Sequence, residues 1–286
     1  MSAGAPMDAW AAATRAADAA GVSLRHMTTL EDADGVVALI ERTWGGQELP
    51  RETLRALEHA GTGLLGAADE GGEIVGFVLG FLGTSSGLHV HSHMLAVRPD
   101  RRQSGIGFAL KLAQRAAALD EGIDDVRWTY DPLLARNAWF NLMKLGATAT
   151  EFLPDFYGAM NDLLNANDRS DRFEVRWRLG DERVRSRADG GPVEELTVEG
   201  ATPVLEREGD AAGTDVRPVL TGTLIGERAT VAIPREYPDL RDRDGELAAA
   251  WRSATGEAFG KCFAAGLSAS GMTRDGVYVF TDGQVT

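Results

Sequence analysis

Hydrophobic residues recur along the chain with two spacings, and each change of spacing marks a change of element. Residues 8–20 are rich in alanine and stop at Gly21, which predicts a short helix with a C-terminal stop. Thr29 stands three residues before Asp32 and opens a stretch with Val36, Val37 and Ile40 on one side, the pattern of a capped helix. Pro50 begins a second helical stretch carrying Leu54 and Leu57. Residues 62–68 and 73–83 are apolar on either side of Asp69-Glu70-Gly71-Gly72 and predict a β-hairpin. A strand over 88–97 is closed by Pro99, and Ile106, Leu110, Ala113 and Ala117 predict a helix over 104–119. A strand over 125–130 is closed by Pro132, and a helix over 133–145 by Gly146. Strands follow at 147–153 and 172–179, where Phe173, Val175, Trp177 and Leu179 alternate with charged residues.

The charged stretch 180–195, with Gly190-Gly191-Pro192, is the best domain boundary in the chain. Beyond it the pattern predicts strands near 197–207 and 228–233, a long helix at about 244–265 and a last strand at 277–280, a packed βαβ-like element. The whole reads as mixed α/β, with no repeat and no low-complexity segment.

Composition narrows the partners. Acidic residues number 43 against 29 basic ones, a formal charge of −14, so there is no general electrostatic reason to bind nucleic acid or an anionic membrane. The N-terminus does not read as a signal peptide and no stretch is apolar for long enough to cross a bilayer, which makes the cytoplasm the expected location. The single cysteine, Cys262, excludes an intrachain disulfide and reads as a buried thiol on the long helix.

The chemistry concentrates in Met94-Leu95-Ala96-Val97-Arg98-Pro99-Asp100-Arg101-Arg102-Gln103-Ser104-Gly105-Ile106-Gly107. Here a strand runs through a glycine-containing loop into a helix. Pro99 removes a ladder donor, and glycines lacking Cβ let backbone N–H groups approach a ligand closely. The first N–H groups of a helix lack internal partners and form an anion site suited to a diphosphate. Arg98, Arg101, Arg102, Lys111 and Arg115 face only Asp100 within 98–115. Two explanations stand level: a phosphate-rich ligand, or a solvated helix face.

Arg102-Gln103-Ser104-Gly105-Ile106-Gly107 matches the R/Q-x-x-G-x-G/A motif of the GNAT acyl-CoA N-acyltransferase superfamily, and the chain resembles that family from about residue 22 to 180. Within it, Asp131-Pro132, Arg136-Asn137-Ala138, Tyr157-Gly158 and Asp171-Arg172-Phe173 followed by Trp177 resemble a branch of predicted acetyltransferases with a C-terminal extension. The resemblance implies a mixed central sheet with flanking helices at 22–180, a preceding N-terminal helix at 1–21 and a C-terminal α+β region at 181–286. It implies acetyl-CoA as acyl donor. Leu95, Ala96 and Val97 would meet the acyl carbonyl and pantetheine arm, Arg102 through Gly107 (Arg102, Gln103, Ser104, Gly105, Ile106, Gly107) the diphosphate, and Asn137 and Asn141 the pantetheine from the other side. The strands 88–97 and 125–130 would be parallel.

His89, His91 and His93 alternate along one strand, about 6.6 Å apart, so two but not three could share a zinc ion. No further ligand is evident and no metal is expected. His91 and His93 are taken as cleft-lining groups, with His93 the preferred base, and a purely structural role stands beside that reading. Asp131 is either a cleft carboxylate or a turn residue before Pro132. Many family members carry a proton-donating tyrosine four residues before the helix-end glycine; counting back from Gly146 gives Leu142.

The expected reaction is transfer of an acetyl or other short acyl group from CoA to an amine of a small molecule by direct attack. Freeing a lysine-like amine at pH 7 costs about 4.6 kcal/mol, whereas a thiol of pKa about 8.5 leaves readily, so a base matters more than an acid. The alternative is a catalytically silent CoA-binding sensor or interaction module. The C-terminal region would cover the acceptor side of the cleft or join two copies in a homodimer.

Overall fold

The computed structural model describes residues 4–46, 49–61, 63–160, 168–209, 216–222, 224 and 226–282. In chain order the first elements are α1 (Gly4–Ala20), β1 (Ser23–His26), α2 (Leu30–Trp44), α3 (Arg51–His59), β2 (Leu64–Ala68), β3 (Ile74–Gly83) and β4 (His89–Val97). A 3₁₀ turn at Pro99–Arg101 leads to α4 (Ile106–Asp120), β5 (Asp125–Tyr130) and α5 (Ala135–Ala138), which continues as a π-helical turn over Trp139–Lys144. There follow β6 (Thr148–Leu153), β7 (Arg172–Arg178), α6 (Glu182–Ala188), β8 (Thr202–Glu208), β9 (Arg217–Leu220) and β10 (Arg228–Ala232). The last are α7 (Tyr237–Arg243), α8 (Gly245–Ala264), β11 (Leu267–Met272) and β12 (Val277–Asp282).

The chain divides into two compact units. The first takes in the described residues up to Trp128 together with Arg178–Gly191; the second holds Thr129–Met160, the described residues up to Trp177, and the chain from Pro192. One division falls in Gly190-Gly191-Pro192. Others fall inside β5, after Trp128, and inside β7, after Trp177, where no composition shift announces them.

In the first unit β1 to β4 are successive antiparallel neighbours, and β5 pairs with β4 in parallel. One face of this sheet packs Leu65, Ala67, Val75 and Val78 against Ile106, Ala109, Leu110 and Ala113 of α4. The other packs Phe77, Leu79 and Ala96 against Val36, Leu39 and Ile40 of α2 and Leu54 of α3. Helix α1 lies antiparallel on the outer side of α4: Trp10 Nε1 donates to Asp120 Oδ2 at 2.6 Å, while Ala20 borders the start of α4 at Gly105. Its Ala12, Ala13 and Ala17 are buried there, small side chains that permit close approach.

The capped helix appears as the sequence indicates. The Asp32 N–H donates to Thr29 Oγ1, and the Thr28 and Thr29 N–H groups donate back to Asp32 Oδ2. Burial would raise the Asp32 carboxyl, but the bonds from Arg25 and Thr29 outweigh it and hold it at about 2. A depressed acid contributes stability above its unfolded pKa and loses it as pH falls through the folded value. Asp32→Ala should therefore cost about 1 kcal/mol at neutral pH. Denaturant titrations should show that difference shrinking between pH 4 and 2, the window set by the carboxyl's values of 3.8 and about 2.

In the second unit the strand order is β7-β6-β11-β12-β10-β8-β9, antiparallel throughout except for the β10–β8 pair. Strands β10 and β11 both run antiparallel to β12 between them, so the C-terminal βαβ element has a strand inserted at its centre. Phe173 is the hub of its core, with rings of Tyr130, Phe152, Phe259, Phe263 and Tyr278 between 4.6 and 6.1 Å away, mostly edge-on. Residues from before position 180 and after position 245 thus share one core. Cys262 lies inside it, its thiol pushed up to about 12 by burial.

Candidate acyl-donor site

Strand β4 ends at Val97, and the 3₁₀ turn at Pro99–Arg101 redirects the chain. Ser104 Oγ donates to the Arg101 carbonyl at 2.7 Å and closes the loop. Gln103 and Gly105 both take positive φ, 67° and 95°. Gly105 is the N-cap of α4: its carbonyl accepts from the Phe108 and Ala109 N–H groups, which leaves Ile106 and Gly107 as first-turn donors without helical acceptors. A Cβ added at Gly105 would stand 3.6 Å from the Ala20 Cβ, an ordinary contact, so it is the positive φ and not a lack of room that calls for glycine here.

The basic cluster resolves into separate parts. Arg98 pairs with Glu73 and Asp100, both at 2.8 Å, and Arg115 turns inward to the Leu179 carbonyl. Lys111 is buried, with Nζ 2.9 Å from Ser92 Oγ and from Gln114 Oε1 and 3.8 Å from the centroid of the Trp128 ring. Arg101 and Arg102 are the cations left on the loop itself. Periodicity placed Lys111 and Arg115 on a helix but could not show that the one reaches Ser92 and Trp128 on the sheet and the other the Leu179 carbonyl.

The β4 backbone selects the groups that face away from β3. The Arg98 N–H donates to the Val75 carbonyl at 2.8 Å. Hydrogen-bonded and non-hydrogen-bonded pairs alternate in an antiparallel ladder, so Ala96 also points its N–H to β3, while Leu95 and Val97 point theirs to the other edge. Of Leu95 and Ala96, it is Leu95 whose N–H is directed away from β3.

The β3–β4 register shifts between Leu79 and Gly80: Leu79 opposes Met94 and Gly80 opposes Ser92, leaving His93 as the extra residue of a bulge. His91 and His93 lie on one face, ring centroids 6.1 Å apart and within 5.5 Å of Phe81. Burial, then the charges of His93, His89 and Lys111, lower His91 to about 4, which weakens it as a base by about 3 kcal/mol. His93 is also lowered by the packing around its ring, although its outer edge is exposed. His89 is buried, with Nδ1 2.9 Å from the Gly87 carbonyl, and belongs to the hairpin turn.

The remaining candidates lie in the second unit. Asn137 is exposed and Asn141 buried on the π turn. Leu142 is wholly buried. Asp131 Oδ1 accepts from the Leu133 N–H, as in an Asx turn, and both its oxygens accept from Arg252 at 2.8 Å. Arg252 also holds Asp168, through Nε at 3.1 Å and Nη2 at 2.5 Å. The carboxylate considered as a base is thus committed to an ion pair. The sequence carried a signal for this: Arg252 interrupts the buried stripe Ala248, Trp251, Thr255, Phe259 and Cys262 of α8, and arginine on such a face needs a buried partner. Among the described residues there is no cluster of three or more His, Cys, Asp or Glu that could hold a metal ion, and no helix is long and apolar enough to cross a membrane.

Residues 29–140 match the acetyltransferase (GNAT) family model. Solved structures similar to the chain include Naa20 from Chaetomium thermophilum in complex with a bisubstrate analogue, at 21% identity over 58% of this chain and 90% of that one, TM-score 0.47. The ribosomal-protein-S18-alanine N-acetyltransferase of Escherichia coli matches at 14% identity over 56% and 95%, TM-score 0.45. The GNAT-family N-acetyltransferase YhbS of Escherichia coli, in complex with CoA, matches at 18% identity over 59% and 86%, TM-score 0.38. No curated protein matches the sequence.

Proposed function

We propose that this protein transfers an acetyl or other short acyl group from acyl-CoA to an amine of a small molecule by direct attack, with about residues 22–180 as the catalytic region. The observation that carries the reading is the loop Arg102–Gly107, with positive φ at Gln103 and Gly105 and unsatisfied first-turn donors, inside the residues that match the family. The amine nitrogen attacks the thioester carbonyl carbon, the Leu95 N–H faces the developing oxyanion, and the C–S bond breaks to release thiol. Asn137 and Asn141 are assigned to the pantetheine arm, and the location proposed is the cytoplasm. His93, lying on the bulge and reachable by solvent, is the better proton acceptor of the two histidines. Asp131, tied to Arg252, is given a structural role.

Calorimetry with acetyl-CoA should show one site per chain, and an amine screen should show thiol release above the donor-only background with an acylated product by mass. Absence of binding by the folded protein would refute the reading. Binding with no turnover on any amine would favour a CoA-binding sensor, the reading supported by Leu142 at the position of the family's tyrosine.

A further inference from the structure

The parallel ladder between β4 and β5 consists of Val90–Val126 and His91–Arg127 among the described residues, and from Ser92 and Trp128 onward it does not continue. Lys111 stands at that point. Its Nζ bridges the Ser92 hydroxyl on β4 and the face of the Trp128 ring on β5. It reaches there from α4, one helical turn beyond Gly107 and the loop assigned to the diphosphate. Resting on the acyl-transfer reading above, we propose that Lys111 is the general acid of this reaction, giving a proton from Nζ to the leaving thiolate as the C–S bond breaks.

The step balances. The acceptor amine attacks the carbonyl carbon and gives its proton to a base; collapse of the adduct breaks the C–S bond; the sulfur takes a proton from Lys111, which regains one from water. The chemistry suits the group. Burial lowers Lys111 to about 7, so near neutral pH both of its protonation states are populated, and transfer to a thiolate whose conjugate acid has a pKa of about 8.5 is downhill. Around it are the Ser92 hydroxyl from β4, Trp128 from β5 and Gln114 from its own helix; His91, on the opposite face of β4 beside Phe81 and lowered to about 4, is neutral where Lys111 titrates. Gln114 Nε2 is a buried donor with no hydrogen-bond partner beside the same lysine, a second group that an arriving acceptor atom would satisfy. A lysine here supplies what Leu142 lacks.

The test uses an amine found by the screen and acyl donors whose leaving thiols differ in pKa. Lys111→Met should slow thiol release from acetyl-CoA about tenfold or more while affinity for CoA changes less than about threefold, and the loss should fade as the leaving thiol becomes more acidic. The wild-type rate should fall as pH rises through the Lys111 titration near 7, and that limb should be missing in Lys111→Met. An unchanged rate in Lys111→Met, or a loss that is the same for every leaving thiol, overturns the proposal. Failure of wild-type protein to bind CoA at all sinks the acyl-transfer reading itself.

Discussion

Replacing Arg252 by Met should lower stability by about 3–5 kcal/mol, because it leaves two carboxylates buried without their counter-charge. The Arg252 side chain is 3% exposed, and those of Asp131 and Asp168 are 10% and 12% exposed. For a chain of this size the loss corresponds to a fall in Tm of about 10 °C, readable by thermal unfolding. Adding Asp131→Asn and Asp168→Asn to the Arg252→Met background should recover part of it, since the uncompensated charges are then gone. The pH dependence has a definite sign. Burial would raise Asp168, but the hydrogen bond and charge of Arg252 hold it below its ordinary value, so its contribution is present at neutral pH and lost as the solution is acidified through the folded pKa. Equal unfolding midpoints for wild type and Arg252→Met would mean that the network is no better than a surface ion pair.

Gly105→Val should abolish measurable acetyl-CoA binding or weaken it by tenfold or more, while Gly107→Ala should leave it within about threefold. The two glycines of one motif differ because their backbones differ. Gly105 sits at φ 95°, a conformation that a β-branched residue adopts only at a cost of about 1–2 kcal/mol or more, so valine would rotate the N–H cradle away from its ligand. A Cβ at Gly107 would lie 3.6 Å from Leu95 Cδ2 and 3.9 Å from Val97 Cγ2, ordinary contacts on the sheet side of α4. Thermal unfolding separates the effects: Gly105→Val should also lose about 1–2 kcal/mol of stability without ligand. Unchanged affinity in Gly105→Val would show that the loop is not the phosphate cradle.

Local patterns by themselves determined most of the elements, the hairpin at 64–83, the capped helix after Thr29 and the strand–loop–helix around Gly105, because each depends on neighbours within a few residues. The same patterns hid other pieces: β1, β9, α6 and α7 carry too few residues for a period to register, and β11, Leu267-Ser268-Ala269-Ser270-Gly271-Met272, is too rich in small and polar residues to stand out as a strand. The helix placed at 133–145 contains a π turn from Trp139, since the Leu145 N–H reaches the Phe140 carbonyl, and hydrophobic spacing does not distinguish that from an α turn. Partner choice for charged groups was decided by tertiary structure. Lys111 and Arg115 look like surface cations until Ser92, Trp128 and the Leu179 carbonyl are seen beside them, and Asp131 looks like a cleft carboxylate until Arg252, 121 residues later, is seen to clasp it. Charge and spacing are properties of a segment, whereas desolvation and pairing depend on what distant segments bring alongside, and only the folded chain supplies that.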